Sequence, residues 1–116
     1  MGNFIEAGKT SKFKDGTKEK VLIQGQEILL ARVGDKYYAV ANLCPHLEGN
    51  LSRGKLEGTI ITCPLHGSQF DLRDGRVVRW LKGYGSLSAV SEEFKLSRAL
   101  KTYNIKVEGD AILIEI

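Results

Sequence analysis

Cysteine and histidine, the side chains that supply soft or borderline metal donors, occur twice each in this chain, and all four copies fall in two short boxes. The first reads Cys44-Pro45-His46; the second, sixteen residues later, reads Cys63-Pro64-Leu65-His66. Two thiols and two imidazoles are the right number and type of donors for a transition-metal centre. A single buried Cys or His is usually packing, but packing does not sort all four into two Cys/His pairs. The chain's two prolines each follow one of the cysteines. Proline fixes its own φ and removes a backbone N–H, which stiffens the loop that must hold a ligand in place. A structural zinc site accepts the same four donors, but it usually pairs Cys with Cys and His with His. Here each box pairs one of each, so two equivalent loops could serve two adjacent irons, both thiolates on one and both imidazoles on the other.

The boxes need a frame, and the flanking sequence reads as β-structure. Apolar and polar residues alternate through "KVLI", "EILLARV" and "KYYAVAN", separated by Gly25-Gln26 and Gly34-Asp35. Period two with short glycine-containing breaks predicts three antiparallel strands joined by hairpins. At the C-terminus Tyr103, Ile105 and Val107 share a face; after Gly109-Asp110 the apolar face resumes at Ile112, Ile114 and Ile116, predicting a closing hairpin. In the middle, "TII" precedes the second box and "FDLRDGRVV" follows it, with Asp74-Gly75 as a favoured hairpin turn. The stretch 83–100 fits neither period, although Ser91-Glu92-Glu93 could open a short helix. The expected class is all-β.

Length and composition narrow the function. A chain of 116 residues is expected to form one domain with a single core. It is 42% apolar and 27% charged, and no apolar run approaches the ~20 residues of a membrane span. The N-terminal residues lack the apolar region of a signal peptide, so a cytoplasmic location is expected. In a reducing cytosol two cysteines serve as metal ligands or reactive thiols more readily than as a disulfide. The formal charge of +3 is interleaved along the chain, with no arginine-rich stripe or groove-reading motif. Neither nucleic acid nor membrane is an expected partner. A monomer is expected.

The C-x-H and C-x-x-H boxes at this spacing resemble the Rieske [2Fe–2S] signature, in which two His replace two Cys on one iron. Residues 51–77, "LSRGKLEGTIITCPLHGSQFDLRDGRV", read like that family's second cluster loop with its flanking strands. Residues 100–116 are similar to the closing hairpin of the soluble Rieske-type ferredoxins that feed aromatic-ring dioxygenases. The resemblance implies a Rieske-like antiparallel β-sandwich with an inserted cluster-binding subdomain of two loops. The basal part would be about 1–42 and 82–116, the cluster-binding part about 43–81, all in a single domain 1–116. It further implies one [2Fe–2S] cluster, with Cys44 and Cys63 on the inner iron and His46 and His66 on the outer, solvent-facing one. Pro45, Leu47, Pro64, Leu65, Gly67 and Ser68 would surround it, Leu47 and Leu65 as an apolar rim suited to brief docking.

Departures from the family pattern carry information too. High-potential Rieske proteins tie their loops with a disulfide between positions held here by Gly49 and Leu65. They also donate two hydroxyls toward the cluster; Ser68 matches the first, whereas Phe70 stands in the tyrosine's place. Hydrogen bonds to the sulfurs stabilise the more negative reduced state, so losing one lowers the potential, toward ~−150 mV rather than +300 mV. The segment 80–99, containing Trp80, is longer than the family's short link and is read as an elaborated loop. Basic residues of the cluster half (Arg53, Lys55, Arg73, Arg76, Arg79, Lys82) outnumber acids (Glu48, Glu57, Asp71, Asp74), which suits an acidic partner. The implied function is a small soluble one-electron carrier, not itself an enzyme. Its implied partners are a flavin-dependent ferredoxin reductase and a terminal oxygenase or other redox acceptor. The alternative is a small non-catalytic subunit of a larger oxidoreductase, such as an assimilatory nitrite reductase. A Rieske oxygenase's catalytic subunit needs two further histidines for its mononuclear iron, and this chain has none left.

Overall fold

The computed structural model of the chain describes residues 3–43, 50–64, 67–79 and 99–116. Its strands are β1 (Phe4–Lys9), β2 (Lys18–Ile23), β3 (Gln26–Val33), β4 (Lys36–Ala41), β5 (Lys55–Glu57), β6 (Ile60–Thr62), β7 (Gln69–Asp71), β8 (Val77–Arg79), β9 (Thr102–Tyr103), β10 (Ile105–Glu108) and β11 (Ala111–Glu115). They pair antiparallel in three sheets, β1-β11-β10, β2-β3-β4-β9 and β5-β6-β7-β8. Among the described residues there is no α-helix, only single 3₁₀ turns at Thr10–Lys12 and Leu51–Arg53. The all-β class read from the sequence holds.

Burial shows how the sheets stack. One core gathers Ile28, Leu30 and Ala39 of the β2-β3-β4-β9 sheet with Phe13, Ile112 and Ile114. A second gathers Leu29, Ala31 and Val40 from the opposite face of that same sheet with Leu51, Ile61, Cys63, Phe70, Leu72, Val77 and Leu100. The sheet is thus covered on both faces, by the closing sheet on one and by the short-stranded sheet of the boxes on the other. This corrects the alternating reading of "EILLARV". Ile28, Leu29, Leu30 and Ala31 are all buried, because a strand covered on both sides has no polar face to keep.

The turns follow the backbone freedom of glycine. The first hairpin turns at Gln24-Gly25, one residue earlier than expected, with Ile23 opposite Gln26 and φ positive at both central residues. The Asp74-Gly75 turn is also longer than a two-residue hairpin: Phe70 pairs with Val77, and the Gly75 N–H donates to the Asp71 carbonyl at 2.7 Å. Two strands escaped the sequence reading, β1, which adds to the closing hairpin along β11, and the three-residue β5. The C-terminal apolar run is divided at Asn104. Tyr103 extends the middle sheet beside Ala39, while Ile105 pairs with Ile114 in the closing one, and Val107 at the far end is exposed. The helix start considered at Ser91 lies outside the described residues.

Candidate metal centre

The structure places the residues that flank each ligand box. Of the four expected ligands, Cys63 lies among the described residues, whereas Cys44, His46 and His66 lie outside them, as do Pro45, Leu47 and Leu65. Cys63 follows β6 directly, is a free thiol, and is 2% exposed within the second core. Its N–H donates to the Ser68 carbonyl at 2.7 Å, and its own carbonyl accepts from the Gly67 N–H at 3.1 Å. Cys63 is therefore joined by both of its backbone groups to the described residues that follow the box, Gly67 and Ser68. Gly67 has φ 78°, a left-handed conformation that glycine adopts without steric cost. Pro64 is exposed and Ser68 is buried.

The residues flanking the other box, Leu43 and Asn50, meet in an isolated antiparallel bridge. Beside that bridge Asn42, fully buried, uses every polar group it has. Its N–H donates to the Glu27 carbonyl at 3.0 Å and its carbonyl accepts from Leu51 N–H at 2.9 Å. Its Nδ2 donates to Asn50 Oδ1 at 2.7 Å and its Oδ1 accepts from Ser52 N–H at 2.9 Å. The Ser52 hydroxyl also donates to Asn50 Oδ1, at 2.6 Å, while Lys18 Nζ donates to the Ser52 carbonyl. Asn42 was not singled out in the sequence; the available signal was a polar residue ending an apolar strand two places before a cysteine.

The two loop bases touch. A Cβ at Gly54 would sit 1.8 Å from the Thr62 carbonyl oxygen, so the chain leaving the first loop presses against the residue just before Cys63. Gly54 has an ordinary extended backbone, φ −79°, and close approach is the reason for glycine here. Leu51, fully buried, joins Ile61, Cys63 and Phe70 in one core, which holds the bases in register. Phe70, fully buried and paired with Ile61, brings a ring and no hydroxyl to the position the resemblance gives to tyrosine.

Electrostatics around the sheet differ from a plain surface count. Asp71, read as one of the surface acids, is fully buried. Its carboxylate accepts from Arg73 Nη2 at 2.7 Å, from Arg73 Nε and from the Arg73 N–H at 2.9 Å, with Arg76 Nη2 at 3.3 Å. The Arg73 hydrogen bond is the main cause that holds its pKa down from 3.8 to about 2, against the opposing pull of burial and with help from the Thr59 hydroxyl. Two of the cations counted toward an acidic partner are thus already paired. Gly75 anchors this loop, since a Cβ there would lie 2.2 Å from the Leu100 carbonyl oxygen.

Two Cys/His boxes whose flanking residues adjoin, with a buried cysteine at Cys63, fit a cluster with two sulfur and two nitrogen protein ligands. The Rieske [2Fe–2S] domain family matches residues 3–91, and the chain belongs to that family. Among its relatives, the ferredoxin component of the naphthalene 1,2-dioxygenase system of Pseudomonas aeruginosa is 33% identical over 113 residues, covering 97% of this chain and 95% of that protein. The ferredoxin of carbazole 1,9a-dioxygenase from Nocardioides aromaticivorans IC177 superposes with a TM-score of 0.77 at 26% identity, over 97% of this chain and 96% of that one. A structure described as the complex of reduced oxygenase and oxidized ferredoxin in carbazole 1,9a-dioxygenase contains a chain matching at TM-score 0.76 and 25% identity, over 97% of this chain and 92% of that one.

Proposed function

We propose that this chain is a one-electron carrier that receives an electron from a flavin-dependent reductase and delivers it to a terminal oxygenase or another redox acceptor. The ligands are assigned as Cys44, His46, Cys63 and His66, and a [2Fe–2S] cluster bound there supplies a centre that gains and loses one electron reversibly. The protein's own residues hold the donors, shield the sulfur side from water and set the potential. One observation carries the reading: Cys63 is a buried thiol in a turn closed at its base, and that base is pressed by Gly54 against the base of the other ligand loop. The relatives named as dioxygenase ferredoxin components, and the carbazole dioxygenase oxygenase–ferredoxin complex, support an oxygenase as the acceptor.

A potential in the low part of the Rieske range, nearer ~−150 mV, follows from Phe70, which puts no donor where high-potential relatives have one. The separate sheet β5–β8 supports a cluster-binding part over about 43–81, with the basal part at 1–42 and 82–116. We assign the carrier to the cytoplasm as a monomer. Separately, among the described residues no helix is long and apolar enough to cross a membrane. Anaerobic purification with iron and sulfide analysis, and EPR before and after dithionite, tests the reading. The expected result is two irons and two sulfides per chain and a rhombic signal after reduction; a colourless protein without sulfide would end it.

A further inference from the structure

The two loops are closed by different means. The Cys63 turn grows from the β6–β7 ladder and is secured by backbone hydrogen bonds at its base. For the first box, the described residues show beyond β4 an isolated bridge, Leu43 with Asn50, and no strand ladder. Closing a chain costs entropy, and one bridge offsets little of it. What holds these ends is the set of side chains around Asn42. Asn50 Oδ1 accepts from both Asn42 Nδ2 at 2.7 Å and Ser52 Oγ at 2.6 Å, and Asn42 Oδ1 fixes the Ser52 N–H at 2.9 Å. Asn42 is fully buried, so water cannot replace a lost partner. The stretch so fixed runs on to Gly54, which abuts Thr62 next to Cys63.

We infer that Asn42, Asn50 and Ser52 form a positioning clamp that sets the ends of the first ligand loop against the Cys63 turn, and through them the relative placement of the donors on the two loops. The clamp rests on the ligand assignment made above. Its residues act through the backbone they hold.

The test compares Asn50→Ala, which deletes the shared acceptor, with Asn50→Asp, which keeps an oxygen for both donors, and Ser52→Ala, which deletes one donor. Ile112→Val, in the core on the far side of the middle sheet, serves as the control for general destabilisation. Iron and sulfide in the unaltered protein are measured first. Their absence would overturn the ligand assignment itself, and the clamp with it, and would be seen before any variant is made. With the cluster present, Asn50→Ala releases iron to a ferrous chelator about tenfold faster, the factor expected for one buried polar group left unpaired. Its reduced EPR g-values shift, and Asn50→Asp restores both readouts. Ile112→Val changes neither at conditions where it is fully folded. If Asn50→Ala does not accumulate, Ser52→Ala shows a smaller acceleration in the same direction. Unchanged release and g-values in Asn50→Ala or Ser52→Ala, or equal acceleration by Ile112→Val, would overturn the clamp.

Discussion

Replacing Asp71 by Asn removes one charge from a buried site while keeping its volume, so the cost is readable. The carboxylate is 1% exposed and is gripped by Arg73 through two nitrogens, with Arg76 a longer single contact. A pKa lowered from 3.8 to about 2 means that the folded protein prefers the ionised form. That preference contributes about 2 kcal/mol at neutral pH, at 1.36 kcal/mol per pKa unit. The contribution is complete above the unfolded-state pKa and disappears as pH falls through the folded one. Asp71→Asn should therefore lower stability by about 2 kcal/mol at pH 7, or about 8 °C in Tm for a chain of this length. The difference between the two proteins should shrink to roughly half by pH 3 and nearly vanish at pH 2. Denaturant unfolding at a series of pH values, with brief exposure at the acid end, measures it. Arg73→Gln should cost more than Arg76→Gln, since Arg73 makes the short two-nitrogen contact. A gap that stays constant from pH 7 to pH 3, or equal costs for the two arginines, would refute the reasoning.

Other substitutions separate packing from ligation. Gly54→Ala would put a Cβ 1.8 Å from the Thr62 carbonyl oxygen, so the two backbones must part by more than 1 Å, at about 1–3 kcal/mol, which should alter the reduced EPR spectrum. Gly58→Ala, strained at φ +58° with open space around it, should cost about 1–2 kcal/mol in unfolding experiments and leave the spectrum unchanged. Cys63→Ala should yield a folded, colourless protein without sulfide; retention of the visible absorption would remove Cys63 from the ligand set. Gly75→Ala should break the junction with Leu100, whose N–H donates to the Gly75 carbonyl at 2.7 Å, and amide exchange at Leu100 should quicken; unchanged protection would show that the loop accommodates the methyl elsewhere.

Read alone, the sequence pointed to the all-β class and to the family. Its Cys/His pairs at fixed spacing name candidate ligands without coordinates, because donor type and number are local properties. Two hairpins, at Gly34-Asp35 and Gly109-Asp110, were legible from glycine beside alternating residues and turn as read, whereas those at Gly25 and Gly75 turn differently. What only tertiary structure decided is what depends on a second layer. The run Ile28 to Ala31 is buried on both sides because another sheet lies on each face, which period-two reading cannot foresee. Asp71 looks like any surface acid until Arg73 and Arg76 fold over it, and Asn42 looks like the end of a strand until Asn50 and Ser52 return to it. The contact of Gly54 with Thr62 extends the β5–β6 hairpin, in which Lys55 pairs with Thr62, and its closeness is not visible in the spacing of the boxes. Ligand identity is a matter of residue type, but holding two ligand loops at one separation is a matter of buried contacts between distant segments, and those exist only once the chain has packed.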